Sequence, residues 1–135
     1  MKTAKELYPE ESKDEEVGGY FFGTDNYQPI ISEIGNILIQ IDDSDYSGDS
    51  RILYEKDGKY GYLIFGWGSC AGCDELQACK SIQDIQEIID RLVKSIHWYN
   101  SLEEIKEYFR TKDWTLSYKW YSYGNREFTN EIINY

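Results

Sequence analysis

The stretch Arg51-Ile52-Leu53-Tyr54-Glu55-Lys56-Asp57-Gly58-Lys59-Tyr60-Gly61-Tyr62-Leu63-Ile64-Phe65-Gly66 decides the fold. Two strand-like runs, Arg51 to Lys56 and Tyr60 to Gly66, flank Asp57-Gly58. Asp-Gly between such runs reads as a hairpin, because the favoured two-residue turn needs backbone angles that Gly adopts freely and Asp tolerates. Upstream, from Asn36, the residues Ile37, Ile39 and Ile41 alternate with Leu38 and Gln40, the period of a strand with a well-buried face. The turn-rich segment Asp42-Asp43-Ser44-Asp45-Tyr46-Ser47-Gly48-Asp49 separates that strand from the hairpin. Together these runs predict an antiparallel meander of three strands.

Beyond the meander the period changes. Ile82, Ile85, Ile88, Ile89, Leu92, Val93 and Ile96 fall on one helical stripe, with Ser81 as N-cap. Ser101, three residues before Glu104, is a capping-box arrangement opening a second helix that carries Leu102, Ile105, Tyr108 and Phe109. Trp114, Leu116, Tyr118 and Trp120 then alternate with polar residues as a further strand. Gly124-Asn125 reads as a chain break before a short final helix with Phe128, Ile132 and Ile133. At the other end, residues 1–17 carry three lysines against six acidic residues, with Pro9 interrupting, and read as an acidic tail or short helix. Tyr20 to Gly23 reads as a short strand and Gln28-Pro29 as a turn or edge. The expected architecture is α+β: one domain over residues 18–135, with an antiparallel sheet of three to five strands packed against two main helices. A chain of 135 residues fits one domain.

Charge narrows the partners. Fourteen Lys and Arg against 25 Asp and Glu leave a formal charge of -11, which repels phosphate backbones and favours a basic protein partner over direct nucleic-acid binding. No apolar run approaches the roughly 20 residues of a membrane helix. The first residues lack a signal-peptide hydrophobic region, and three cysteines do not make a secreted disulfide framework, so the expected compartment is the cytoplasm.

Two local features could carry chemistry. Cys70-Ala71-Gly72-Cys73, followed by Cys79, brings two sulfurs within reach of one tetrahedral ion, whereas a thioredoxin-like redox motif should open a helix after a buried parallel strand and the preceding elements here read as hairpins. A structural zinc site wants four ligands, and the single histidine, His97, is the available fourth. Against that stands the simpler reading that Gly66, Gly68 and Gly72 shape a tight loop while the cysteines fill space. The second feature, Asp43-x-Asp45-x-Ser47-Gly48, opens like a calcium loop, but Tyr54 stands where a bidentate glutamate should close it. It reads equally as a solvated turn or as an anionic knuckle of Asp42, Asp43, Asp45, Tyr46 and Asp49 that meets a basic partner. No phosphate-cradling glycine loop, nucleophile elbow or paired-histidine helix is present, so no enzyme activity and no cofactor are expected.

Tyr46-Ser47-Gly48-Asp49, Gly68-Ser69-Cys70-Ala71-Gly72-Cys73-Asp74 and Asn100-Ser101-Leu102-Glu103-Glu104, spread over residues 42–120, resemble the pattern of small acidic proteins of unassigned function from phages and mobile elements. The resemblance implies a phage-type protein acting in the host cytoplasm against a defence nuclease, in the manner of anti-CRISPR proteins or other DNA mimics. The expected function is therefore a non-catalytic inhibitor seated on a basic nucleic-acid-binding groove. Two alternatives stand beside it: an immunity protein against a nuclease toxin, and a small zinc or redox protein built on Cys70, Cys73 and Cys79.

Overall fold

In the computed structural model, which describes residues 1–17, 21, 23–44, 46–70, 72–112 and 123–135, the Asp57-Gly58 turn joins β2 (Gly48–Lys56) to β3 (Lys59–Trp67). Asp57 and Gly58 have φ of 53° and 79°, so the turn has the positive-φ pair that suits the twist of the flanking strands. The strands stay in register from Lys56 opposite Lys59 to Gly48 opposite Trp67. Strand β1 (Asn36–Asp42) runs antiparallel to β2 on the far side, as the sequence predicts.

Leu38 interrupts that second ladder. Ile37 faces Tyr54 and Ile39 faces Leu53, so Leu38 is one extra residue in β1, a bulge that reverses which face the following side chains occupy. Ile37 consequently packs on one side of the sheet while Ile39 and Ile41 pack on the other. The expected single face of Ile37, Ile39 and Ile41 is thus divided.

Both faces of the sheet are covered. Ile52, Tyr54, Leu63 and Phe65 point to a core closed by α1 (Ala4–Leu7), α3 (Gln28–Ile34) and α4 (Ile82–Ser95). Leu53 and Tyr62 point the opposite way, to α5 (Leu102–Thr111) and α6 (Tyr123–Ile133). Burial on two faces explains why Ser50 to Tyr54 is buried without alternation. A short fourth strand, β4 (His97–Tyr99), pairs antiparallel with β3 and gives the order β1-β2-β3-β4. Three residues are too few to show a period in the sequence.

The caps form as expected, with one variation. Ser81 Oγ accepts the Asp84 N–H at 3.1 Å and Ser101 Oγ accepts the Glu104 N–H at 3.2 Å. The Glu104 carboxylate reaches back to the N–H of Asn100, one residue before the cap.

Other expectations are corrected. Of the two readings of residues 1–17, the helical one holds and the tail does not: they form two short helices, α1 and α2 (Pro9–Glu16), with Ala4, Tyr8 and Ser12 buried. This segment is tied down at both ends, the Ala4 N–H to Gln86 Oε1 at 2.7 Å and the Ile82 N–H to Glu15 Oε2 at 2.6 Å. Gln28-Pro29 opens α3 rather than marking an edge, since a proline in the first turn gives up only an N–H that has no helical partner. Gly124-Asn125 lies inside the first turn of α6 rather than breaking the chain. The proposed strand with Trp114, Leu116, Tyr118 and Trp120 lies outside the described residues, as do Tyr20 and Phe22; Phe21 and Gly23 are not in a strand.

Candidate functional site

The acidic loop between β1 and β2 is organised around a residue that charge counting passes over. Arg51 sits on the α5 and α6 side of β2 and is fully buried. A buried guanidinium needs counterions and acceptors for its fan of donors. Its Nη1 donates to Asp43 Oδ1 at 2.8 Å, Asp49 Oδ2 lies 3.8 Å from Nη2, and Nε donates to Asn125 Oδ1 on α6. Asp43 Oδ2 also accepts the Asp49 N–H at 2.9 Å, which closes the loop on itself. Burial pushes the Asp43 carboxyl up, but the hydrogen bonds from Arg51 and Asp49 and the arginine's charge outweigh it and hold the group below its ordinary value.

Two glycines make room for this clamp. A Cβ on Gly48 would stand 2.5 Å from Asp43 Cβ, and one on Gly124 would stand 2.5 Å from the Arg51 guanidinium carbon. The Gly48-Asp49 pair in the quoted pattern therefore has a structural explanation. The cation that these aspartates hold is a guanidinium, in a loop that reads in sequence like the start of a calcium site. Of the residues assigned to an anionic knuckle, Asp43 and Asp49 are committed to Arg51, Asp42 and Tyr46 are exposed, and Asp45 lies outside the described residues.

The cysteine loop is organised around a different buried carboxylate, Asp74, which is 3% exposed. Asp74 Oδ1 accepts from the Tyr27 hydroxyl and the Gly68 N–H, each at 2.9 Å, and Oδ2 accepts the Gln77 N–H at 3.0 Å. Burial, and then the Asp74 charge beside it, drives the Tyr27 hydroxyl far above its ordinary range, so it stays a donor. These bonds fix both ends of the segment from Gly68 to Gln77 to the α3 side of the sheet.

On that base stand the two exposed thiols. Cys70 O accepts the N–H groups of Cys73 at 3.0 Å and Asp74 at 2.9 Å, folding the chain into a tight turn. The turn brings Cys70 Sγ to 2.7 Å from Cys73 Sγ, and the Cys70 N–H donates to Cys73 Sγ at 3.0 Å. Hydrogen bonding from the Cys70 thiol, then from the Cys70 N–H and Ser69, holds the Cys73 thiol below its ordinary pKa against the opposing effect of burial. Gly68 is needed beside it, since a Cβ there would lie 2.4 Å from Cys73 O and 2.9 Å from its sulfur.

The wider ligand set of Cys70, Cys73, Cys79 and His97 does not assemble. Cys79 is buried in the core on the α4 side, where its thiol donates to Glu75 O at 3.3 Å and burial, with nearby acids, pushes it up to about 11. His97 is exposed on β4, its ring 6.2 Å from that of Tyr62 in the core on the other side of the sheet. Among the described residues no group of three or more His, Cys, Asp or Glu is placed to hold a metal ion. Trp67 is held by a hydrogen bond from Nε1 to Ser50 Oγ at 3.0 Å.

Sequence reasoning missed Arg51, Asp74, Tyr27 and Gly124. Arg51 carried one signal, a lone cation at the head of an otherwise apolar buried run. Asp74 carried none beyond its place next to Cys73. No helix among the described residues is long and apolar enough to cross a membrane. No protein-family model, curated protein or solved structure matches the chain.

Proposed function

We propose that this chain is a thiol–disulfide protein whose working group is the Cys70–Cys73 pair. The observation that carries the proposal is two exposed sulfurs 2.7 Å apart, one of them receiving a backbone N–H, on a loop anchored by a buried carboxylate. Cys73 is the attacking thiolate and Cys70 the resolving thiol. Cys73 Sγ attacks one sulfur of a disulfide on an oxidising partner; a mixed disulfide forms and the partner's second sulfur leaves as a thiolate. Cys70, after losing its proton to solvent, attacks Cys73 Sγ, the Cys70–Cys73 bond forms, and the partner's first sulfur departs. Two electrons pass to the partner, two cysteines of this chain are oxidised, and the protons go to solvent. Cys79, buried and high in pKa, takes no part.

Titration with mixtures of reduced and oxidised dithiothreitol, quenched by acid and read by thiol counting and mass, tests this. Reversible loss of two of the three thiols within the monomer, abolished by Cys70→Ser or Cys73→Ser and retained in Cys79→Ser, is expected. A pair that never closes internally, or an internal bond that uses Cys79, overturns it.

A second reading is favoured by the net charge of -11 and by the exposure of Tyr46, at 89%, and of Asp42. In it the chain covers a basic nucleic-acid-binding groove, as an anti-defence or immunity protein would. Charge reversal at Asp43 or Asp49 would disturb the Arg51 clamp, so the informative variant is Asp42→Lys with Tyr46→Ala. Retained capture of the same basic partner by that variant would remove this surface from consideration.

A further inference from the structure

We infer that the open end of the α3 and α4 side of the sheet is a binding site for a small carboxylate with an apolar tail. This inference is independent of the cysteine pair. Lys56, Tyr54 and Ile52 on β2 share one face with Lys59, Gly61 and Leu63 on β3, and Trp98 on β4 pairs with Gly61. Helices α3 and α4 cover that face except near the hairpin tip. There Ile34, Val93, Trp98 and Met1 leave a groove of about 340 Å³, at the lower end of the roughly 300–1,000 Å³ range of small-molecule sites. Three of its walls are large exposed apolar side chains, Met1 at 57% and Val93 and Trp98 at 36% each.

The site is shaped as well as apolar. Trp98 lies over Gly61, where a Cβ would come within 2.7 Å of the indole ring, so the glycine seats the ring and leaves its other side to the groove. At the mouth stand Lys56 and Lys59, directly opposite one another across the ladder. Like charges in that arrangement oppose the pairing of the strands. Among the described residues neither lysine is in an ion pair. Asp57, at the turn between them, also lines the groove but leaves it net positive. An anionic head group such as a carboxylate is therefore the complement. Apolar walls behind a cationic mouth suit a medium-chain fatty acid, with its tail along Trp98 and Val93.

Calorimetric titration with decanoate below its aggregation concentration tests the site, with decanol and decyltrimethylammonium as probes of the same tail with a neutral and a cationic head. Saturable one-to-one binding of decanoate is expected, at least tenfold tighter than either probe and weakened at least tenfold in Lys56→Gln/Lys59→Gln. Both lysines are at the surface, so circular dichroism should show that this variant keeps the fold. Trp98→Phe should retain binding and Trp98→Ala weaken it. Absence of decanoate binding, equal binding of decyltrimethylammonium, or an unaltered affinity in the folded double-lysine variant would each overturn the inference.

Discussion

Replacing Gly124 by Ala should destabilise this protein, although the same change in an ordinary helix does the reverse. Alanine is favoured over glycine by at most about 1 kcal/mol within a helix. Here the added methyl would stand 2.5 Å from Cζ and Nη1 of a guanidinium that is itself fully buried. Arg51 cannot swing into solvent, because it lies between the sheet and α6, and moving it parts its bonds to Asp43 and Asn125. Disrupting a buried ion pair typically costs about 3–5 kcal/mol. The net expectation is a loss of about 2–4 kcal/mol, which for a chain of this size lowers Tm by roughly 10 °C. Urea unfolding followed by circular dichroism, with thermal melts as a check, measures it. In an Arg51→Met background, where the obstruction is gone, the cost of Gly124→Ala should shrink by more than half. A Gly124→Ala protein as stable as the parent, or stabilised, would refute the reasoning that this glycine exists to admit the guanidinium.

The same clamp sets a pH dependence. Asp43 has its folded value depressed, so the stability it contributes is full above its unfolded value near 4 and is lost as pH falls below that value. Asp43→Asn should cost about 2 kcal/mol at pH 7, and the difference from the parent should narrow below about pH 4; a gap in urea midpoints that stays constant down to pH 3 would exclude this origin. In the cysteine loop, limited iodoacetamide at neutral pH should label Cys73 first and Cys79 last, as read by peptide mass, and equal rates at Cys70 and Cys73 would contradict the lowered pKa of Cys73. At the hairpin tip, Lys59→Glu should raise unfolding stability by about 0.2–1 kcal/mol by turning a repulsive cross-strand pair into an attractive one, and a neutral or lower stability would show that Lys56 and Lys59 do not feel each other.

The features legible in the sequence are those set by neighbours along the chain. Asp57-Gly58 specifies its turn through the backbone angles of two residues. The α4 stripe and the Ser81 and Ser101 caps depend on spacings of three and four residues. Cys70 and Cys73 meet because a turn of four residues brings them together. What the tertiary structure alone decided depends on distant segments. One extra residue at Leu38 sends Ile37 and Ile39 to opposite cores, and only the partner strand shows which residue is unpaired. In composition Asp43 and Asp49 count as surface charge like any other acid; the return of α6 over β2 buries Arg51 and makes them its counterions. Asp74 becomes an anchor because Tyr27, 47 residues earlier, is carried beside it. Local pattern determined the elements, while burial, created only when distant segments cover one another, decided which charges are free to act.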